Sequence, residues 1–322
     1  MDPATFFAAS RVVIVAGKGG VGKTTVTAAL ARAAARQGRR ALIVEVEGKS
    51  GLANMFGADD LGYDEITLAE AGDPPGSADV RARTLTSDEA MLEYLESHGM
   101  SRVAKRLVSS GAIDTLATAA PGIKDILVLG KVKQLERDTD VDLIVLDAPA
   151  AGHAITFLRA ARSLLDTVRV GPIHNQAAEV MEMLTDAERC QVVLVTLPEE
   201  TPVNELIETA YSLEDQVGVA LGPVVVNGLY PDRPGLDVDP VTAAAEAGVG
   251  LREGEAEALA GAADFRRHRV ELQTEQVARL AEQLPLPQLR LPFLFGAELG
   301  PAELDLLAGR LIDQLETVVE TP

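Results

Sequence analysis

The sequence is poor in cysteine, lysine and aromatic residues, and each shortage removes a class of function. A single cysteine, Cys190, stands among 322 residues. One thiol cannot close an intrachain disulfide, form a CxxC redox pair or build a cysteine zinc site. That usage fits a reducing compartment, and a cytoplasmic protein is expected. Basic residues are also scarce: 29 Lys and Arg face 49 Asp and Glu, for a net charge of −20. Such a field repels nucleic-acid phosphates and anionic membrane surfaces, so no nucleic-acid partner is expected. No run of about 18 or more apolar residues occurs, so no integral membrane segment is expected either. The opening Met1-Asp2-Pro3-Ala4 lacks a basic region followed by an apolar run, and no signal peptide is expected. Tryptophan is absent, and lysine occurs only at Lys18, Lys23, Lys49, Lys105, Lys124, Lys131 and Lys133. Two lysines in one glycine-rich loop therefore stand out.

What is present is a substantial apolar fraction, 47%, enough for a large core. Residues 11–16 form an apolar β-branched run ending at Gly17, which reads as a buried parallel strand. Residues 23–37 read as an alanine-rich helix stopped by Gly38, and 40–46 as a second strand, so the chain opens as a βαβ unit. Further strands are expected at 141–146, 191–197, 221–226 and 287–291. Helices are expected over 88–109, 123–137, 154–169, 174–187, 201–216, 261–284 and 301–318. Segments 72–78 and 231–240 read as loops. Strands alternating with helices predict an α/β fold: a doubly wound, mainly parallel sheet with helical insertions.

The strongest motif is Gly17-Lys18-Gly19-Gly20-Val21-Gly22-Lys23-Thr24-Thr25. It satisfies GxxxxGK[ST] and lies between a predicted strand and a predicted helix, the context a phosphate-binding P-loop needs. The glycines let backbone N–H groups turn toward phosphate oxygens. The helix starting near Lys23 points its positive end at the same anion. Lys23 is expected to reach the β- and γ-phosphates, and the Thr24 hydroxyl to coordinate magnesium.

Lys18 turns this loop into GKGGVGKTT, which resembles the deviant Walker A family of dimerising ATPases. That group includes the ParA/MinD partition proteins, the nitrogenase iron protein, and the ArsA and Get-pathway ATPases. The resemblance implies that Lys18 reaches across a dimer interface to the partner's nucleotide. Two further segments are similar to the ArsA/Get branch. Glu47-Gly48-Lys49-Ser50-Gly51-Leu52-Ala53-Asn54-Met55-Phe56-Gly57 shares the LxxxFG ending of that branch's first switch. This places Glu47 at its catalytic aspartate, which orients the attacking water. Glutamate keeps the carboxylate but adds a methylene. A displacement of about an ångström can cost on the order of a hundredfold in rate. Asp147-Ala148-Pro149-Ala150-Ala151-Gly152-His153 resembles the second switch. It implies that Asp147 holds magnesium through water and that Gly152 approaches the γ-phosphate. Ala151 replaces a usual threonine, and His153 is either a switch sensor or a helix-start residue. Asn227 resembles the adenine reader, and its amide can pair with N6 and N7 of adenine. Asn227-Gly228-Leu229-Tyr230 is not the NKxD signature of guanine proteins, so ATP is favoured. Pro292 and Phe293 stand where the family places a loop against the base.

The VEVEGKSG segment is similar to one member of an actinobacterial pair of ArsA-like paralogues. The implied assembly is a homodimer or a heterodimer with a paralogous ATPase. Better-known roles meet compositional obstacles. Arsenite needs soft thiolate ligands, and the nitrogenase cluster needs cysteines from each subunit. Membrane positioning wants a basic amphipathic tail, whereas 301–320 carries five acids against Arg310. The remaining expectation is one P-loop ATPase domain over 1–322 using ATP and magnesium. Helical insertions at about 58–140 and 154–190 are expected to form a subdomain that holds a hydrophobic-segment protein client. Met91, Leu92, Leu95 and Met100, with Val180, Met181, Met183 and Leu184, are its candidate apolar face, or else ordinary core. The alternative is a nucleotide-binding regulatory subunit with weak or no turnover, paired with an active paralogue.

Overall fold

The structure, a computed structural model, describes residues 2–48, 51–97, 99–102, 122–149, 151–296 and 298–317. Asp2 caps the first helix, α1 (Pro3–Ala9), by accepting from the Thr5 amide, and Pro3 opens it. Then come β1 (Val12–Gly17), α2 (Lys23–Arg36), β2 (Ala41–Val46), the short α3 (Leu52–Met55), β3 (Ile66–Ala69), β4 (Val80–Leu85) and α4 (Ser87–Ser97). The middle of the chain supplies α5 (Ile123–Asp138), β5 (Leu143–Asp147), α6 (Ala151–Thr167), α7 (Pro172–Thr185), β6 (Cys190–Thr196) and α8 (Glu200–Gln216). The last part supplies β7 (Ala220–Leu221), β8 (Val224–Leu229), α9 (Pro240–Glu246), α10 (Glu255–Gln283), β9 (Gln288–Pro292) and α11 (Pro301–Thr317).

The strands form one nine-stranded sheet in the order β3-β4-β2-β5-β1-β6-β8-β9, with β7 paired to β6. Every pairing is parallel except β3 with β4. The six strands expected from sequence are all present, and the doubly wound parallel sheet is the observed fold. The antiparallel β3–β4 hairpin was not expected. Its inner strand reads VRARTL, where Arg81 and Arg83 break the apolar run.

Side chains alternate between two faces, as strand geometry requires. Val12, Ile14, Val44, Leu146 and Val192 face α4 to α8 and the end of α10. Val13, Val15, Ile43, Val145 and Val193 face α1, α2, α3 and α11. Met91, Val180, Met181, Met183 and Leu184 are buried within the first of these cores. They are packing residues here, the ordinary-core reading that their spacing left open beside a client groove. The predicted helix over 88–109 ends at Ser97 in α4, and its stretch from 103 onward lies outside the described residues.

Helix α11 closes the second face. Its Asp305 accepts from Arg32 Nε at 2.7 Å and pairs with Arg36 at 2.8 Å, both on α2. The Arg32 side chain is only 10% exposed, so its charge depends on this partner. Asp305→Ala should lower stability by about 1–2 kcal/mol, since Asp305 itself is partly in water. Differential scanning calorimetry should show a melting temperature lower by a few degrees.

Candidate functional site

The carboxyl ends of parallel strands are where open α/β sheets bind ligands, and the phosphate loop, Asp147 and Asn227 stand together at that edge. β1 ends at Gly17, where a Cβ would stand 2.4 Å from the Val195 carbonyl oxygen. Only glycine allows β1 and β6 to approach this closely just before the loop. Gly20 and Gly22 have φ of 84° and 88°, left-handed values that glycine adopts without penalty. Gly22 precedes α2, so the loop runs directly into a helix N-terminus. Val21 is buried and anchors the loop, Gly19 and Gly20 are exposed, and Thr25 is half-buried in the first turn of α2. Asn227 at the end of β8 donates from Nδ2 to the Val21 carbonyl at 2.9 Å. A Cβ on Gly22 would lie 2.2 Å from that nitrogen, so Asn227 braces the loop from behind.

Beside the loop, the Thr24 hydroxyl donates to Asp147 Oδ2 at 2.6 Å. These are the two residues expected at magnesium, and the fold brings them together without a ligand. The other oxygen, Asp147 Oδ1, is buried and makes no hydrogen bond. A buried, half-satisfied carboxylate next to a hydroxyl fits a hard cation with water in its shell. Burial pushes the Asp147 carboxyl up to about 6, against the pull of the Thr24 hydrogen bond and Lys23, with Glu45 adding to the rise. Burial likewise lowers the Lys23 ammonium, and Asp147 opposes that shift. Lys23 folds back over the loop, donating to the Lys18 carbonyl at 3.2 Å. The arrangement can hold a triphosphate: a lysine, backbone amides and a helix end on one side, a metal-ready carboxylate on the other.

Glu45 is a site-adjacent acid that the sequence reading missed. It stands on β2 directly across from Asp147 in register, is buried, and accepts from Thr84 at 3.1 Å. The available signal was an acid inside the apolar run ALIVEV. Glu47, two residues on, is exposed and holds φ at 68°, the single described non-glycine residue in that region. Gly152 lies in the first turn of α6, five residues after Asp147. Lys49 and Ser50 of the first switch, and Ala150 of the second, lie outside the described residues. Lys18 pairs with Glu205 of its own chain at 2.6 Å.

At the far end, Phe293 follows β9 and donates its amide to the Leu229 carbonyl at 2.7 Å, beside Pro292. Its ring meets Tyr230 at 5.1 Å and Phe295 at 4.8 Å. Arg266 lies 5.3 Å from the Tyr230 centroid, and Arg269 pairs with Glu199. Phe293 is 41% and Phe295 58% exposed, so flat apolar faces are presented near Asn227. Tyr230, Phe295 and Arg266 were not picked out from sequence. Cys190 begins β6, fully buried, and burial pushes its thiol up to about 12, so it is an inert core residue.

A family model described as anion-transporting ATPase matches residues 10–173, which span β1 to the start of α7. The ATPase BagA of Mycobacterium tuberculosis is 33% identical over 312 residues, covering 90% of this chain and 89% of its own. A putative arsenical pump-driving ATPase of Halobacterium salinarum is 26% identical over 241 residues, 69% of this chain and 36% of its own. The ATPase get3 of Schizosaccharomyces japonicus is 28% identical over 184 residues, 55% of this chain and 54% of its own.

Asp147→Asn separates the site's function from its stability. An acid whose folded value is raised binds its proton more tightly when folded, so its ionisation costs stability as pH rises from about 4 to about 6. Above that the cost is constant. Asparagine removes it but leaves a buried amide to be paired, so the net gain is about 1 kcal/mol at pH 8. Thermal melts without ligand should show the variant more stable than wild type at pH 8, with the gap closing toward pH 4. Magnesium-dependent strengthening of ATP binding should be lost in the same variant.

Proposed function

The chain belongs to the anion-transporting ATPase family, the ArsA/Get type, and from that membership we propose that it is a magnesium- and ATP-dependent dimeric ATPase of the cytoplasm. The observation that carries this reading is the Thr24–Asp147 pair beside the loop, with Asp147 Oδ1 buried and unpartnered. Magnesium, when bound, neutralises charge on the phosphate oxygens. Lys23 binds the β- and γ-phosphates, and the amides from Gly19 to Thr25 fix them. Lys18 supplies a positive charge to the partner's nucleotide, and Glu47 orients the attacking water. The base lies between Asn227 and the Pro292–Phe293 turn, where an aromatic face near an amide favours adenine.

The cycle is proposed to move the helical layer. Asp147 is joined to α6 within a few residues, and α6 packs in one continuous core with α5 and α7. A γ-phosphate that draws Gly152 inward therefore pulls on that layer. The single ATPase domain over 1–322, with the insertions at about 58–140 and 154–190 as its client side, is part of this proposal, limited within 58–140 to the helical residues after β4, since β3 and β4 belong to the sheet. Because Met91, Met181 and Met183 are buried in this state, a hydrophobic client needs those helices to part. Cross-linking that recovers no hydrophobic-segment protein in any nucleotide state would remove the client half.

A regulatory subunit paired with an active paralogue is the second reading. It is favoured by the exposed, left-handed Glu47, which starts outside the buried site where Asp147 and Glu45 sit. Steady-state ATP turnover by the purified chain decides between the two. Turnover that requires magnesium and falls at least tenfold in Lys18→Ala and in Lys23→Ala supports the self-sufficient enzyme. ATP binding without turnover supports the regulatory half. Absence of ATP binding would sink both.

A further inference from the structure

Lys18 is the residue assigned to the partner's nucleotide, yet here it is bound within its own chain. Its Nζ lies 2.6 Å from Oε1 of Glu205 on α8. The meeting follows from topology. Lys18 follows β1, α8 follows β6, and the two strands are neighbours with Gly17 beside Val195. The side chains are 42% and 39% exposed, so the pair is neither deeply locked nor freely solvated. The second oxygen, Glu205 Oε2, is buried and makes no hydrogen bond. Lys18 is thus the cation against which this carboxylate is held. Two other acids beside the loop, Asp147 and Glu45, are engaged with Thr24 and Thr84.

We infer that Glu205 is a positioning residue, which holds Lys18 against α8 in the nucleotide-free chain and yields it when a triphosphate on a partner chain offers a stronger anion. This rests on the cross-interface role proposed for Lys18. An ammonium is a compact point charge on a flexible stem, so the carboxylate and the triphosphate compete for it. A half-exposed ion pair changes an equilibrium by about two- to fivefold, a hold weak enough to exchange. Closing two identical chains releases two lysines, so the closure equilibrium shifts by the square, about four- to twenty-fivefold. The contact thereby sets how much ATP is needed before chains assemble.

The test uses full-length wild type, Glu205→Gln, Lys18→Ala and the double variant. Glu205→Gln keeps the side-chain shape and removes the charge. Glu205→Asp, which shortens the reach by a methylene, is the second variant should the first fail to fold. Without nucleotide, Lys18 acylation by an amine-reactive ester is followed by peptide mass spectrometry, with Lys124 as internal reference. Self-association is then followed by sedimentation against magnesium and a non-hydrolysable ATP analogue. The expected result is two- to fivefold faster Lys18 acylation in Glu205→Gln, with at least a fourfold tighter closure equilibrium at fixed analogue. In the Lys18→Ala background, Glu205→Gln should change nothing. Unchanged acylation, or a shift in assembly that persists without Lys18, overturns the inference. If no protein assembles at any analogue concentration, the homodimeric reading fails, and equal acylation rates in wild type and Glu205→Gln then overturn the Glu205 hold independently.

Discussion

The hydrogen bond from Thr24 to Asp147 ties the first turn of α2 to the end of β5, and the nucleotide end of the protein is organised around that carboxylate. Burial makes ionised Asp147 costly. Lys23 and the Thr24 hydroxyl offset part of the cost, and a divalent cation would offset more. The same burial weakens the Lys23 ammonium, so each group is held in a state that favours the arrival of opposite charge. A site built this way trades resting stability for affinity, because its polar groups are positioned before the ligand supplies their partners.

That carboxylate can occupy its position only because the sheet is parallel and closely packed at its centre. β5, β1 and β6 lie side by side, and their carboxyl ends deliver Asp147, the phosphate loop and the start of α8 to one edge. Gly17 permits the approach of β1 to β6, and Asn227 from β8 supports the loop by binding the Val21 carbonyl. Asn227 can do this and still read a base. One Nδ2 hydrogen serves the loop, and the other hydrogen and Oδ1 keep their capacity. Support of the loop is therefore compatible with the proposed recognition of adenine by the same amide.

Much of the sheet was legible because buried parallel strands are continuous apolar runs, as in VVIVAG and LIVLD. The edge hairpin was not, because β4 carries Arg81 and Arg83 toward the less buried side and β3 is half exposed. Helix α10 starts at Glu255, ahead of the expected residue 261, since its first half buries nothing and so has no apolar stripe to read. At the candidate site, the residues picked out were contiguous motifs: the loop, Asp147 and the turn at Phe293. Glu205 was not, since it lies 187 positions from Lys18 and meets it only through the β1–β6 pairing. Glu45 failed for a different reason. A lone acid in a strand looks like a pattern error until its register partner is known to be Asp147. The methionine helices left two readings open, because apolar spacing identifies a buried face but cannot say against what it is buried.

The acidity of the chain bears on the proposed dimer directly. Two copies at −20 each repel. In the nucleotide-free chain Lys18 is paired with Glu205, so part of its charge is already offset before a second chain approaches. In the proposed dimer, triphosphate and magnesium would change the local balance on both sides at once, giving each released lysine an anion across the interface. On that proposal, long-range repulsion and the Lys18–Glu205 pair act in the same direction, both favouring separate chains until nucleotide is bound. Salt acts on them in opposite ways. It screens the repulsion over about 8 Å at physiological strength, easing approach, yet it also weakens the lysine–phosphate attraction wherever that contact remains wet. A closed state that survives high salt therefore requires Lys18 to be sheltered from water by the partner, as a residue on an exposed loop becomes only when two chains meet over it.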